Sequence, residues 1–396
     1  MKEKDCSRRN FLKMAGVAGG AVLVGLGPVN RVFAAKQQLR TIGLGVTVQD
    51  QILQEFTKRT GIPASGTAAT MADSMTKMLT GGVREWDSHE LITSRIEPLK
   101  HTLRPIPVKA LKYWNEAAGI FAGPIPSVQK AQTQLSDLIY TDSKRTHLWM
   151  APIVGNFDTI GYLPEFVDAP NNRLSYGAIF EPKYKGRAAF NTDVLVGMEL
   201  VAMYLRKIGK LPKDVNVGDL GKKEVDITVN FLIQKKKEGQ FRVLWNDFGS
   251  LVDLMASKEV WVADAWQPVV MAVEKQGTPC RYAEAEEGSR AWFIGVGISK
   301  GTPNYEACIE YINFWHEGFP SQFVASQGYY VPCLKRAKKY IGDELHGFFY
   351  EGKPDSKGKY RDGGSYEQRT SNVGANEQWP REYLYHIKRW DDFLAA

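Results

Sequence analysis

From residue 39 onward, apolar positions switch between a spacing of two and a spacing of three to four, and the switches divide the chain into alternating strands and helices. Residues 39–46 alternate as a strand. An amphipathic helix follows, with Ile52, Leu53 and Phe56 on one face, and it stops at Thr60-Gly61, because glycine accepts the left-handed turn that closes a helix. A second helix over 74–79 ends at Gly81-Gly82, and 90–93 reads as a short strand. Residues 148–154 are short and apolar, and 155–162 form an extended segment between glycines. Beyond this the pattern predicts strands over 187–190, 241–244, 260–264 and 292–299. Helices are expected over 194–208, 222–238, 251–257, 269–276 and 305–315. Such alternation predicts an α/β chain with mainly parallel sheets. Residues 104–126, rich in Pro and Gly, read as a surface wrap, and 350–374, with no period, as a long loop or covering segment. No internal repeat is visible.

The first 34 residues follow a different pattern. Ser7-Arg8-Arg9-Asn10-Phe11-Leu12-Lys13 precedes an uncharged stretch from Met14 to Leu26, and Val32-Phe33-Ala34 has the small residues of a cleavage site. The apolar stretch is well under the roughly 20 residues that cross a bilayer. Paired arginines in this setting are a twin-arginine address, read by machinery that exports folded proteins. The mature chain, starting at Ala35, is expected in a periplasm. Removing six basic and two acidic residues with residues 1–34 lowers the net charge from +7 to +3. That value favours neither a nucleic-acid nor a membrane-surface partner. Lys235-Lys236-Lys237 reads as a solvated helix face. The remaining length suits two ordinary domains. Cys6 leaves with the signal, and Cys280, Cys308 and Cys333 read as buried free thiols.

Reactive motifs are absent from the sequence. The six histidines are isolated, and neither G-x-S-x-G nor a phosphate-cradling glycine loop occurs, so no metal or cofactor is expected. Aromatic residues at strand ends offer more. In Val260-Trp261-Val262-Ala263-Asp264-Ala265-Trp266 the alternation would put Asp264 and Trp266 on one side of a strand. Trp292 opens another strand and Tyr329 follows a helix. Rings beyond the carboxyl ends of parallel strands can wall a ligand, and rings can equally fill a core. For Trp261 the core is the better reading; for Trp266 and Trp292 the pattern leaves both open.

Several stretches together resemble the spermidine/putrescine-binding family of extracellular solute-binding proteins that serve ATP-driven (ABC) importers. They are Leu53 through Gly61, Glu181-Pro182-Lys183-Tyr184-Lys185-Gly186-Arg187, Val262-Ala263-Asp264-Ala265-Trp266, Glu287-Gly288-Ser289-Arg290-Ala291-Trp292, and Ala307 through Phe314 running on to Gln327-Gly328-Tyr329. The resemblance covers roughly residues 39–340. It implies a two-lobed periplasmic-binding-protein type II fold, each lobe a mainly parallel sheet flanked by helices, joined by a strand hinge near 158–162 and 292–299. Lobe I would be 36–157 plus 296–334, and lobe II 158–295 plus 335–396. The chain would be a monomer that closes on one small solute and presents it to an inner-membrane permease.

The resemblance also implies a site. Trp266, Trp292 and Tyr329 match the family's aromatic wall, Asp193 one ammonium-binding carboxylate, Thr47 a first-loop hydroxyl and Ser94 a second-loop contact. Ile294 and Val196 stand where the family carries acids, and Val46 where it carries a tryptophan. Asp264 is a candidate replacement carboxylate. Arg95, if directed inward, would repel a cation or draw an anion. Asp193 has a second reading as the cap of the helix that follows it. A polyamine or related amine is therefore the expected solute, with a zwitterionic or anionic metabolite as the alternative. An exported hydrolase or lyase, and a receptor serving a sensor instead of a permease, are the rivals of other classes.

Overall fold

A computed structural model describes residues 37–117 and 121–396. The export segment, with its Arg8-Arg9 pair, Cys6 and the cleavage site at Ala34, lies outside the described residues.

The chain opens with β1 (Leu39–Gly43), α1 (Asp50–Thr60), β2 (Ala64–Ala68), α2 (Met71–Leu79) and β3 (Ser88–Ile92). In α1 the expected stripe of Ile52, Leu53 and Phe56 is buried. The helix ends at Gly61, whose φ of 72° lets its N–H return to the Thr57 carbonyl at 2.8 Å. A long strand, β4 (Ala151–Tyr162), leads to β5 (Ala188–Asn191), α3 (Val194–Lys207), α4 (Lys222–Lys237), β6 (Phe241–Trp245), α5 (Phe248–Ala256), β7 (Val262–Ala265) and α6 (Gln267–Lys275). A second long strand, β8 (Ser289–Ser299), is followed by α7 (Tyr305–Glu317), α8 (Leu334–His346), β9 (Val373–Asn376) and α9 (Tyr383–Ala395).

These strands form one continuous sheet in the order β6-β5-β7-β4-β8-β3-β1-β2. Its two ends are each parallel: β1 pairs with β2 and β3, and β5 with β6 and β7. Between them β4 and β8 run antiparallel to each other and to their neighbours. Every residue of both long strands is buried, which accounts for their near-continuous apolar reading. Where they cross, Gly295 is required: a Cβ there would lie 2.5 Å from the Ala151 carbonyl oxygen.

Three apolar clusters follow this plan. One packs around β1–β3, the facing parts of β4 and β8, and α7, with Phe56, Leu91, Ile294 and Trp315 at its centre. The other two cover opposite faces of β5–β7, one with Phe190 and Val201, the other with Met255 and Val270. Cys280, Cys308 and Cys333 are free and buried.

Two segments behave differently from their sequence pattern. The 104–126 stretch does not merely wrap the surface, because Ile106, Leu111, Trp114, Phe121 and Ile125 are buried in the first cluster. The C-terminal segment is also more than a cover. Phe349, Tyr350 and Tyr366 enter the first cluster, Trp390 and Phe393 the second, and β9 adds to β8 in parallel. Its polar, glycine-rich composition hid this because much of what it buries is Arg361 and Arg369, residues a periodicity count scores as surface.

Candidate functional site

Four of the parallel strands deliver the predicted residues at their carboxyl ends, the position where open α/β sheets bind ligands. Thr47 follows β1, Ser94 and Arg95 follow β3, Asp193 follows β5, and Trp266 follows β7. Trp292 comes from β8, and Tyr329 from the turn after Gly328, whose φ of 91° reverses the chain. The Trp292 and Tyr329 rings meet edge-on at 6.0 Å, and Trp245 meets Trp266 edge-on at 5.0 Å.

Thr47 is buried, its hydroxyl donating to the Leu44 carbonyl at 3.1 Å. Behind it Glu90 accepts from the Tyr311 hydroxyl at 2.9 Å, and burial pushes the Glu90 carboxyl up to about 7. Ser94 is buried and donates to Glu377. Asp193 caps α3: its Oδ1 accepts from the N–H of Leu195 at 2.8 Å and of Val196 at 3.4 Å. Its other oxygen faces the Arg95 guanidinium at 3.4 Å. Arg95 does point inward, donating to the Ser94 hydroxyl at 3.2 Å and lying 5.6 Å from the Trp379 ring.

β7 ends at Ala265, and Trp266, still extended at φ −92° and ψ 145°, is the residue before the first turn of α6. Asp264 is buried, its Oδ1 accepting from the Asn191 N–H at 2.9 Å and the Trp245 indole N–H at 3.2 Å. Burial pushes its carboxyl up to about 7. It reaches Trp266 only through Trp245.

Beneath these residues lies a charge cluster that sequence reasoning missed. In the β4–β8 register Arg290 stands opposite Asp158 and Trp292 opposite Asn156. Arg290, 1 % exposed, meets Asp158 at 2.9 Å, Glu199 of α3 at 2.5 Å and Glu377 at 3.0 Å. Three carboxylates thus face one guanidinium. Burial raises the Glu199 carboxyl most, with Arg290 opposing and Glu377 adding to the rise, and burial likewise raises Asp158. Burial together with Asp158 raises the Tyr329 phenol. Glu199 and Glu377 lie in stretches with no motif, and only the Trp292 neighbourhood pointed at the right strand. Among the described residues no group of three His, Cys, Asp or Glu side chains is placed to hold a metal ion.

Residues 5–25 match the family model described as the TAT (twin-arginine translocation) pathway signal sequence, which marks the chain for export. No curated protein matches the sequence. Solved structures match over nearly the whole chain. A spermidine/putrescine ABC transporter structure from Listeria monocytogenes is 17% identical, with a TM-score of 0.67, covering 90% of this chain and 99% of its own. The spermidine/putrescine ABC transporter substrate-binding protein of Streptococcus pneumoniae is also 17% identical, with a TM-score of 0.65, covering 91% and 98%. The protein AgtB of A. tumefaciens R10, solved with agropinic acid, is 16% identical, with a TM-score of 0.58, covering 91% and 98%. The chain therefore has the two-lobed type II fold of periplasmic solute-binding proteins.

Proposed function

We propose that the mature protein, from Ala35, is a periplasmic binding protein that delivers a polyamine or related amine to an ABC permease. The reading is supported by strand ends from both halves of the sheet that carry aromatic residues, Trp266 after β7 and Trp292 of β8 in edge-on contact with Tyr329. Under these rings, three carboxylates outnumber the single guanidinium of Arg290. Aromatic faces over an acid-rich floor suit an alkyl ammonium, each ring adding about 0.5–2 kcal/mol. The structural relatives described as spermidine/putrescine transporters support the same solute class. In this reading lobe I comprises 36–157 plus 296–334 and lobe II 158–295. The C-terminal segment assigned to lobe II also packs against lobe I, and β4 and β8 serve as the hinge. Trp266, Trp292 and Tyr329 are the wall, and Thr47, Ser94, Asp193 and Asp264 shape and anchor its surroundings.

The protein acts as a monomer and leaves its solute unaltered. The short Ser74–His89 contact of 2.6 Å, the kind of pair a hydrolase would use, is fully buried. A zwitterionic or anionic solute in the same transport role draws on one observation, the inward Arg95.

Calorimetric titration of the mature protein with putrescine, spermidine and n-alkyl monoamines tests the reading. Heat from an amine, with the same molecule recovered intact by mass spectrometry, is expected. Silence toward every amine, with a response to an amino acid or a phosphonate, would remove it.

A further inference from the structure

The two charged regions of the cleft are unequal. At the floor, carboxylates are in excess of guanidinium. At Asp193 the count is even: Oδ1 accepts from the N–H groups of Leu195 and Val196, the second and third residues of α3, and Oδ2 pairs with Arg95 at 3.4 Å. Arg95 is not a loose surface side chain. It is buried, its Nη1 donates to Ser94, Ser94 donates to Glu377, and Glu377 pairs with Arg290, so a chain of contacts fixes it to the hinge. The pair also spans the cleft, because Arg95 follows β3 at one end of the sheet and Asp193 follows β5 at the other.

A ligand ammonium approaching Asp193 would meet a fixed like charge beside an acid already paired with it. Val196, three residues on, is apolar, and Ile294 is fully buried in the first cluster, so neither offers a substitute. Desolvating a second ammonium there without a counter-charge is unfavourable. We infer that Arg95 is a specificity-determining residue that occupies the Asp193 carboxylate in place of a ligand cation, so that the cleft takes an amine with one ammonium end, seated over the floor, and excludes a diamine. The inference rests on the amine reading above.

Three probes of matched length test it by calorimetry: n-butylamine, 4-aminobutanoate and putrescine. In the unaltered protein n-butylamine is expected to bind at least tenfold tighter than putrescine, and a response to 4-aminobutanoate alone would overturn both the inference and the amine reading. Arg95→Ala should erase or reverse that preference. Arg95→Gln, which keeps a donor toward Ser94, should do the same if the alanine variant folds poorly. Arg95→Lys, which keeps the charge, should hold the original order. Putrescine binding the unaltered protein as tightly as the other two, or a preference unmoved by removing the Arg95 charge, would overturn the inference while leaving the amine reading intact. No heat from any of the three in the unaltered protein, with spermidine and spermine also silent, would sink both.

Discussion

Arg290 and Arg361 are both buried cations, and they are held in opposite ways. Arg290, in the hinge strand β8, faces three carboxylates. Arg361, in the C-terminal segment, faces none among the described residues. It donates to the Tyr330 hydroxyl, to Gln267 Oε1, and to the carbonyls of Phe349 at 3.1 Å and Gly328 at 2.8 Å. The Tyr330 and Phe349 rings lie 4.7 and 4.8 Å from its guanidinium carbon. Burial and neighbouring Arg369 lower Arg361 toward about 9, whereas the surrounding acids raise Arg290. In the hinge Arg290 is outnumbered by acids, of which Glu199 is raised to about 8 by burial. Dipoles and rings fasten the C-terminal segment to Gly328 and Gln267, beside Tyr329 and Trp266, with no titrating partner. The first arrangement supplies a potential that a ligand can feel, and the second supplies fixity.

The largest effect should come from breaking the ionic arrangement. Arg290→Met would leave three carboxylates buried around an apolar side chain, and removing one partner of such a cluster costs about 3–5 kcal/mol. Urea unfolding at pH 7.5 should register that loss, and much of it should return at pH 5, where the stranded acids take up protons. A loss below about 1 kcal/mol would show that the cluster carries no net attraction. Arg361→Met strands only carbonyl and hydroxyl groups and removes an unpaired cation, so a smaller cost of about 2–3 kcal/mol is expected, equal at pH 5 and pH 8. Arg361→Lys should not restore the loss, since one ammonium cannot span the fork of four acceptors.

A subtler test titrates the surplus acid. Glu199 is raised from 4.5 to about 8, so the folded state holds a proton that the unfolded state releases. Its favourable contribution is complete below about 4.5 and is lost as the pH climbs toward 8. Each pH unit of that separation is worth about 1.4 kcal/mol. Glu199→Gln keeps an acceptor for Arg290 and removes the ionisation. The variant should therefore be more stable than the parent at pH 8 by at least about 1 kcal/mol, with little difference at pH 4.5. Melting curves across that range would show parallel lines if Glu199 were already ionised in the fold.

The same contrast explains what could be read from the sequence. Strand and helix positions from β5 to α7 followed from apolar spacing, because each helix carries apolar residues at helical intervals and stops near a residue suited to the turn. The long strands were legible only in part: 151–154 and 155–162 are one element, since Gly155 lies beside Phe121 and continues the strand instead of ending it. β2, with the sequence Ala-Ser-Gly-Thr-Ala, gave no signal because it is a half-exposed edge strand held by its neighbour. At the site, Trp266 and Trp292 drew attention by their places at strands and Tyr329 by its place after a helix. Arg290, Glu199 and Glu377 did not, because a buried charge is recognisable only once its partners, far apart in sequence, are seen together.

The smallest effect on stability should fall on the wall itself. Trp266 anchors neither guanidinium. It is half-buried, and its recorded ring contact is the edge-on meeting with Trp245, whose own position is fixed by Asp264. An edge-on pair is worth about 0.5–1.5 kcal/mol, and the solvent-facing part of the ring contributes little to the empty protein. Trp266→Ala should therefore lower the melting temperature only slightly while weakening solute binding by more than tenfold. A calorimetric affinity that survives the substitution, or a melting temperature that falls as far as in Arg361→Met, would assign the ring to the core and leave Trp292 and Tyr329 as the only aromatic wall.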